Sequence, residues 1–127
     1  MDPLRGLVFV VDDDLSVRRA LSRLLRAEGY DVCAFATATE FLSHPLPARP
    51  ACLVLDVRLP DMSGLELQRR LASSAPRLPV VVISGHGDRA VREEALAANG
   101  LAFLAKPFGD EALLTAVSDA LARHPAP

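Results

Sequence analysis

The chain has 127 residues, half of them hydrophobic and 24% charged, which is enough for one hydrophobic core and too little for two. Its formal net charge is -2, and no Lys/Arg cluster suggests a stripe that could follow a phosphate backbone, so direct nucleic-acid binding is not expected of this segment. The apolar runs are strand-sized and the first residues lack a basic stretch followed by an apolar signal core, which predicts no membrane span and a cytoplasmic location.

In chain order, Leu7 to Val11 is apolar throughout and predicts a strand covered on both faces. Asp12 and Asp13 follow it directly, and Asp14 is placed to cap a helix whose stripe is Val17, Leu21, Leu24 and Leu25. Val32 to Phe35 predicts a second strand, and Thr37-Ala38-Thr39-Glu40 has the form of a capping box opening a short second helix. After a proline-bounded loop from Pro45 to Pro50, Cys52 to Leu55 predicts a third strand ending at Asp56. Cys33 and Cys52 both lie inside strand runs without ligand spacing, which reads as reduced thiols packed as small hydrophobes. Ser63-Gly64 precedes a third helix carrying Leu65, Leu67 and Leu71, and Val80 to Ile83 predicts a fourth strand followed by Ser84. The fourth helix, roughly residues 89–98, has little apolar stripe beyond Val91, Ala95 and Leu96. A fifth strand, Leu101 to Leu104, leads to Lys106, and the last helix, carrying Leu113, Leu114, Val117 and Leu121, is expected behind an Asp110 cap. One domain over residues 1–127 is expected, with an ordered core of about 5–123 and a linker-like tail at 124–127.

Five strands alternating with five helices predict an α/β fold with a doubly wound parallel sheet and right-handed crossovers, in the order 2-1-3-4-5. Parallel strands end on one edge of the sheet, and the change of winding direction between the first and third strands opens a crevice there. Asp12, Asp13, Asp56, Ser84 and Lys106 all fall at that edge. Any one of these acids alone reads as a turn former or cap; their joint position is the signal. Three carboxylates a few ångströms apart repel by about 4 kcal/mol per pair at 4 Å and an effective dielectric near 20, and Lys106 offsets one charge. A hard dication, best Mg²⁺, balances the remainder and leaves a neutral site able to admit a phosphoryl dianion. Zinc is disfavoured because no His or Cys stands at ligand spacing.

These residues resemble the receiver domains of two-component response regulators over essentially the whole chain. The matching segments are Val10-Val11-Asp12-Asp13-Asp14, Leu55 through Gly64, Val82-Ile83-Ser84-Gly85-His86-Gly87-Asp88 and Phe103-Leu104-Ala105-Lys106-Pro107-Phe108. The wording Ser-Gly-His-Gly-Asp and Lys-Pro-Phe is most similar to the FixJ subfamily, whose members usually carry a C-terminal helix-turn-helix domain, so the chain reads as an excerpt of such a regulator or as a stand-alone receiver. The resemblance implies a flavodoxin-like (CheY-like) fold and a phosphorelay role. A sensor histidine kinase would phosphorylate Asp56, with Asp13, Asp56 and the Arg58 backbone carbonyl on Mg²⁺ and Asp12 acting through a water. It implies that Lys106 pairs with the phosphoryl oxygens, that Lys106-Pro107 is a cis peptide, and that Ser84 and Phe103 are the switch pair. It also implies a phosphorylation-dependent dimer or partner contact on helix four, strand five and helix five.

Two features depart from or add to the pattern. Asn99-Gly100-Leu101-Ala102-Phe103 stands where the family usually has Gly-Ala-x-Asp-Phe, which bears on coupling from helix four to strand five, and His86 is a candidate for tuning dephosphorylation. His44 and His124 read as solvated. A phosphatase of the haloacid-dehalogenase kind wants a second carboxylate where Arg58 stands, no phosphate-binding loop of the Gly-x-x-x-x-Gly-Lys-Ser/Thr form follows the first strand, and the acidic first loop does not suit a flavin phosphate.

Overall fold

The computed structural model describes residues 6–85, 89–97 and 100–123, with side chains except at 89–91, 97 and 101. His86, Asp88, Asn99 and the tail at 124–127 lie outside the described residues.

Ten elements alternate along the chain: β1 (Leu7–Val11), α1 (Leu15–Ala27), β2 (Asp31–Phe35), α2 (Ala38–Leu42), β3 (Ala51–Asp56), α3 (Gly64–Ser74), β4 (Val80–Ser84), α4 (Arg89–Ala97), β5 (Gly100–Ala105) and α5 (Asp110–Arg123). The strands form one parallel sheet in the expected order β2-β1-β3-β4-β5. β1, β3 and β4 are internal and buried along their whole length, which is why their sequences are apolar at successive rather than alternate positions, up to the polar Asp56 and Ser84 that end β3 and β4.

The side-chain period of two divides the core into two layers. Phe9, Val11, Leu53, Leu55 and Val82 point to the face covered by α2, α3 and α4, while Val8, Val10, Val54, Val81 and Ile83 point to the face covered by α1 and α5. Caps fix three helix starts as the sequence predicts. Asp14 accepts from the Ser16 and Val17 N–H groups at 2.8 and 3.2 Å, Thr37 from Glu40 at 3.1 Å, and Ser63 from Glu66 at 3.1 Å. Asp110 does not cap α5. The helix begins at Asp110 itself, so Asp110 and Glu111 place negative charge inside the first turn, where they favour the helix dipole.

Candidate functional site

The carboxyl ends of β1, β3, β4 and β5 meet along one edge. Asp12 follows β1, Asp56 is the last residue of β3, Ser84 the last of β4, and Lys106 follows β5. The strand register aligns them, with Val11 opposite Leu55, Asp56 opposite Ile83, and Ser84 opposite Ala105.

Asp12 is fully buried, Asp56 is 6% exposed and Ser84 4%. Asp13 is exposed at the mouth. Asp12, Asp13 and Asp56 each bring a carboxylate oxygen to within 4.8 Å of the others. Lys106 Nζ lies 3.3 Å from Asp12 Oδ2 and 3.6 Å from Asp56 Oδ2, so the cation bridges the two buried acids. The Lys106-Pro107 peptide is cis, as expected, and the Lys106 N–H donates to the Ser84 carbonyl at 2.7 Å.

The backbone around the acids is fixed by short-range bonds. Asp12 Oδ1 accepts from the Asp14 N–H at 2.9 Å, and the Arg18 guanidinium donates to the Asp12 carbonyl at 2.9 Å. Asp56 Oδ1 accepts from the Arg58 N–H at 3.2 Å. The loop beyond it closes on itself through an Arg58–Ser63 bridge and a 2.6 Å bond from the Gly64 N–H to the Val57 carbonyl. Gly64 is obligatory at this closure, since a Cβ there would overlap the Asp56 carbonyl and lie 2.7 Å from Val57 Cα.

Burial pushes the Asp56 carboxyl above the ordinary carboxylate range and the Asp12 charge adds to this, while the Arg58 N–H and Lys106 pull it back. One ammonium faces these three carboxylates. The donor set is all oxygen, as a hard divalent cation requires, and the residues present fit Mg²⁺ with Asp12, Asp13 and Asp56 supplying the charge.

The structure thus brings Asp12, Asp13, Asp56, Ser84 and Lys106 to one edge of the sheet. Phe103 stands apart from it on β5, opposite Val82 and partly buried against the layer that α2, α3 and α4 cover. Three features were not read from the sequence. Gln68 is buried and donates from Nε2 to the Ala95 carbonyl, joining α3 to α4; its place midway between Leu65 and Leu71 on one helical stripe was a legible signal. Asp61 binds α2 across 22 residues of sequence, for which no local pattern exists. Arg18, Arg19, Arg23 and Arg26 gather with Ser22 and Ala34 around one surface hollow; their spacing puts them on one face of α1, a basic cluster that the sequence reading did not expect.

Comparison with known proteins places these features among relatives. The family model described as "Response regulator receiver domain" matches residues 8–118. The chain is 45% identical over 119 residues to Nodulation protein W of Bradyrhizobium diazoefficiens, covering 94% of this chain and 52% of that protein. It is 40% identical over 116 residues to Transcriptional regulatory protein FixJ of Azorhizobium caulinodans, covering 91% and 55%. A solved structure of response regulator StyR superposes with a TM-score of 0.87 at 45% identity, covering 94% of this chain and 61% of that one. The chain spans about half the length of the curated relatives it matches.

Proposed function

The chain belongs to the response regulator receiver domain family, and from that membership we propose that it takes a phosphoryl group from a sensor histidine kinase onto Asp56. The observation that carries this reading is the buried Asp56 carboxylate, 3.6 Å from Lys106 Nζ and within 4.8 Å of two further acids at the sheet edge. An Asp56 oxygen is the nucleophile, and its bond to phosphorus forms as the bond to the donor nitrogen breaks. Lys106 meets the charge on the transferred oxygens. Asp13 and Asp56, with the Arg58 carbonyl and Asp12 through water, would hold Mg²⁺, which when bound supplies charge neutralisation between carboxylate and phosphoryl oxygens. The role is that of a signalling domain that promotes its own phosphorylation and dephosphorylation, not of a turnover enzyme.

Output follows from the Ser84 position. Its hydroxyl lies at the end of β4, on the segment leading to α4, so a new bond to the phosphoryl group draws on that segment and favours a remodelled α4, β5 and α5 surface, with Phe103 following. That surface is assigned a phosphorylation-dependent homodimer or partner contact. Control of transcription would then pass through a separate DNA-binding module, with no direct nucleic-acid or membrane contact by this segment and a cytoplasmic setting; the alternative output is protein–protein interaction by the receiver alone. No helix among the described residues is long and apolar enough to cross a membrane.

The test is intact-mass measurement after incubation with acetyl phosphate and Mg²⁺. The parent chain is expected to gain one phosphoryl mass and Asp56→Asn none; full labelling of Asp56→Asn, or undiminished labelling of the parent in excess chelator, would sink the reading.

A further inference from the structure

The loop between β3 and α3 carries Arg58, and its base is closed by the Arg58–Ser63 bridge and the Gly64–Val57 bond. Its flanks, Leu59 and Met62, pack against the core layer beneath α2 and α3. Its tip is Asp61. Both carboxylate oxygens of Asp61 are used: Oδ1 accepts from the Ala38 N–H at 3.2 Å, Oδ2 from the Thr39 N–H at 2.8 Å, and the Thr39 hydroxyl also donates to Oδ2. Thr37 meanwhile takes the Glu40 N–H, so three of the unpaired donors in the first turn of α2 are met, two of them by a residue of another loop.

Thr37 caps α2 at one of these donors and Asp61 meets the other two. Its other effect is on the loop. α2 is packed into the core by Ala38 and Phe41, both almost wholly buried, so the bonds from Asp61 tie the loop tip to a core-anchored element. A loop held at base, flanks and tip limits the orientations open to the Arg58 carbonyl, the group that the proposed function assigns to the cation.

We propose that Asp61 is a positioning residue for the cation site: by tying the β3–α3 loop to the N-terminus of α2, it presets the Arg58 carbonyl and so raises Mg²⁺ affinity. This rests on the reading that Asp12, Asp13, Asp56 and the Arg58 carbonyl hold Mg²⁺. Linkage makes the coupling reciprocal, so cation binding is felt at Ala38 and Thr39 although neither is a ligand.

The experiment titrates the ¹⁵N-labelled chain with Mg²⁺ and follows amide shifts, with a Mg²⁺-free melting curve for each variant. In the parent, the Ala38 and Thr39 amides should shift on the same isotherm as Asp13 and Arg58. Asp61→Ala should raise the Mg²⁺ dissociation constant about tenfold, in the range usual for residues that orient ligands, and abolish the Ala38 and Thr39 response. Asp61→Asn, which keeps one accepting oxygen, should fall between the two, and it decides the matter if Asp61→Ala does not fold. Parent-like Mg²⁺ affinity in these variants, with only a lowered melting temperature, would show that Asp61 merely caps α2 and would overturn the proposal while leaving the cation reading intact. If Mg²⁺ shifts no site amide in the parent, or Asp13→Asn binds as the parent does, the cation reading falls and the proposal with it.

Discussion

The two faces of the sheet are equally apolar, yet their coverings are held in different ways. On one face α1 and α5 insert Leu21, Leu25, Leu113, Ala116, Val117 and Ala120 into the core. On the other, α2 and α3 contribute Ala38, Phe41, Leu65, Leu67 and Leu71, but of the described side chains of α4 only Ala95 is buried, and Leu96 is 39% exposed. Among the described side chains, polar ties join α4 to α3: the Gln68 bond to the Ala95 carbonyl, an acceptor in the last turn of the helix, and an Arg69–Glu94 ion pair on the surface. The pair counts for little where both partners are solvated. Apolar burial holds a helix over many contacts at once, whereas one directional bond can be exchanged for another. The difference is what the proposed output calls for: α4 is the lightly held element that would answer a change at Ser84, while the buried stripe of α1 stays in place.

The largest expected effect lies in the frame. Leu25→Ala on α1, at a fully buried position, should cost about 2–5 kcal/mol in denaturant unfolding; a loss below about 1 kcal/mol would mean that α1 is no better anchored than α4. Next comes the tie across the other face. Gln68→Ala should cost about 1–3 kcal/mol and speed amide exchange in α4 while leaving α1 protected; uniform acceleration over both helices would erase the distinction.

The acidic cleft lies where the two faces meet, and its strain has the opposite sign. Because the Asp56 carboxyl is raised in the fold, its favourable contribution is present below the ordinary carboxylate range and is lost as pH rises through the folded value. Asp56→Asn should therefore stabilise the Mg²⁺-free chain at neutral pH, a gap that closes as pH falls into the ordinary carboxylate range. Asp61 runs the other way. Its hydrogen bonds to Thr39 lower its pKa, so its contribution is present above the ordinary range and disappears as pH falls through the folded value. Thermal melts of parent and Asp56→Asn across pH 3–8 (about five units) check both limbs. The smallest effect expected is for Leu96→Ala on the exposed side of α4, within about 0.5 kcal/mol of the parent.

What the sequence determined by itself was everything settled within one turn or one strand. The unbroken apolar runs at Leu7–Val11, Cys52–Leu55 and Val80–Ile83 marked the internal strands, and Asp14, Thr37 and Ser63 marked helix starts, because capping and side-chain periodicity act over at most four residues. The gathering of Asp12, Asp13, Asp56, Ser84 and Lys106 was legible for the same reason, since each follows or ends a strand and parallel strands finish on one edge. Tertiary structure decided the rest. Asp110 entered its helix instead of capping it, Gln68 found the end of α4, and Asp61 found the start of α2. The last two contacts join residues 27 and 22 positions apart. A polar side chain at such a distance has no local partner to betray it, and its bond exists only once the core has packed and brought a free backbone group within reach.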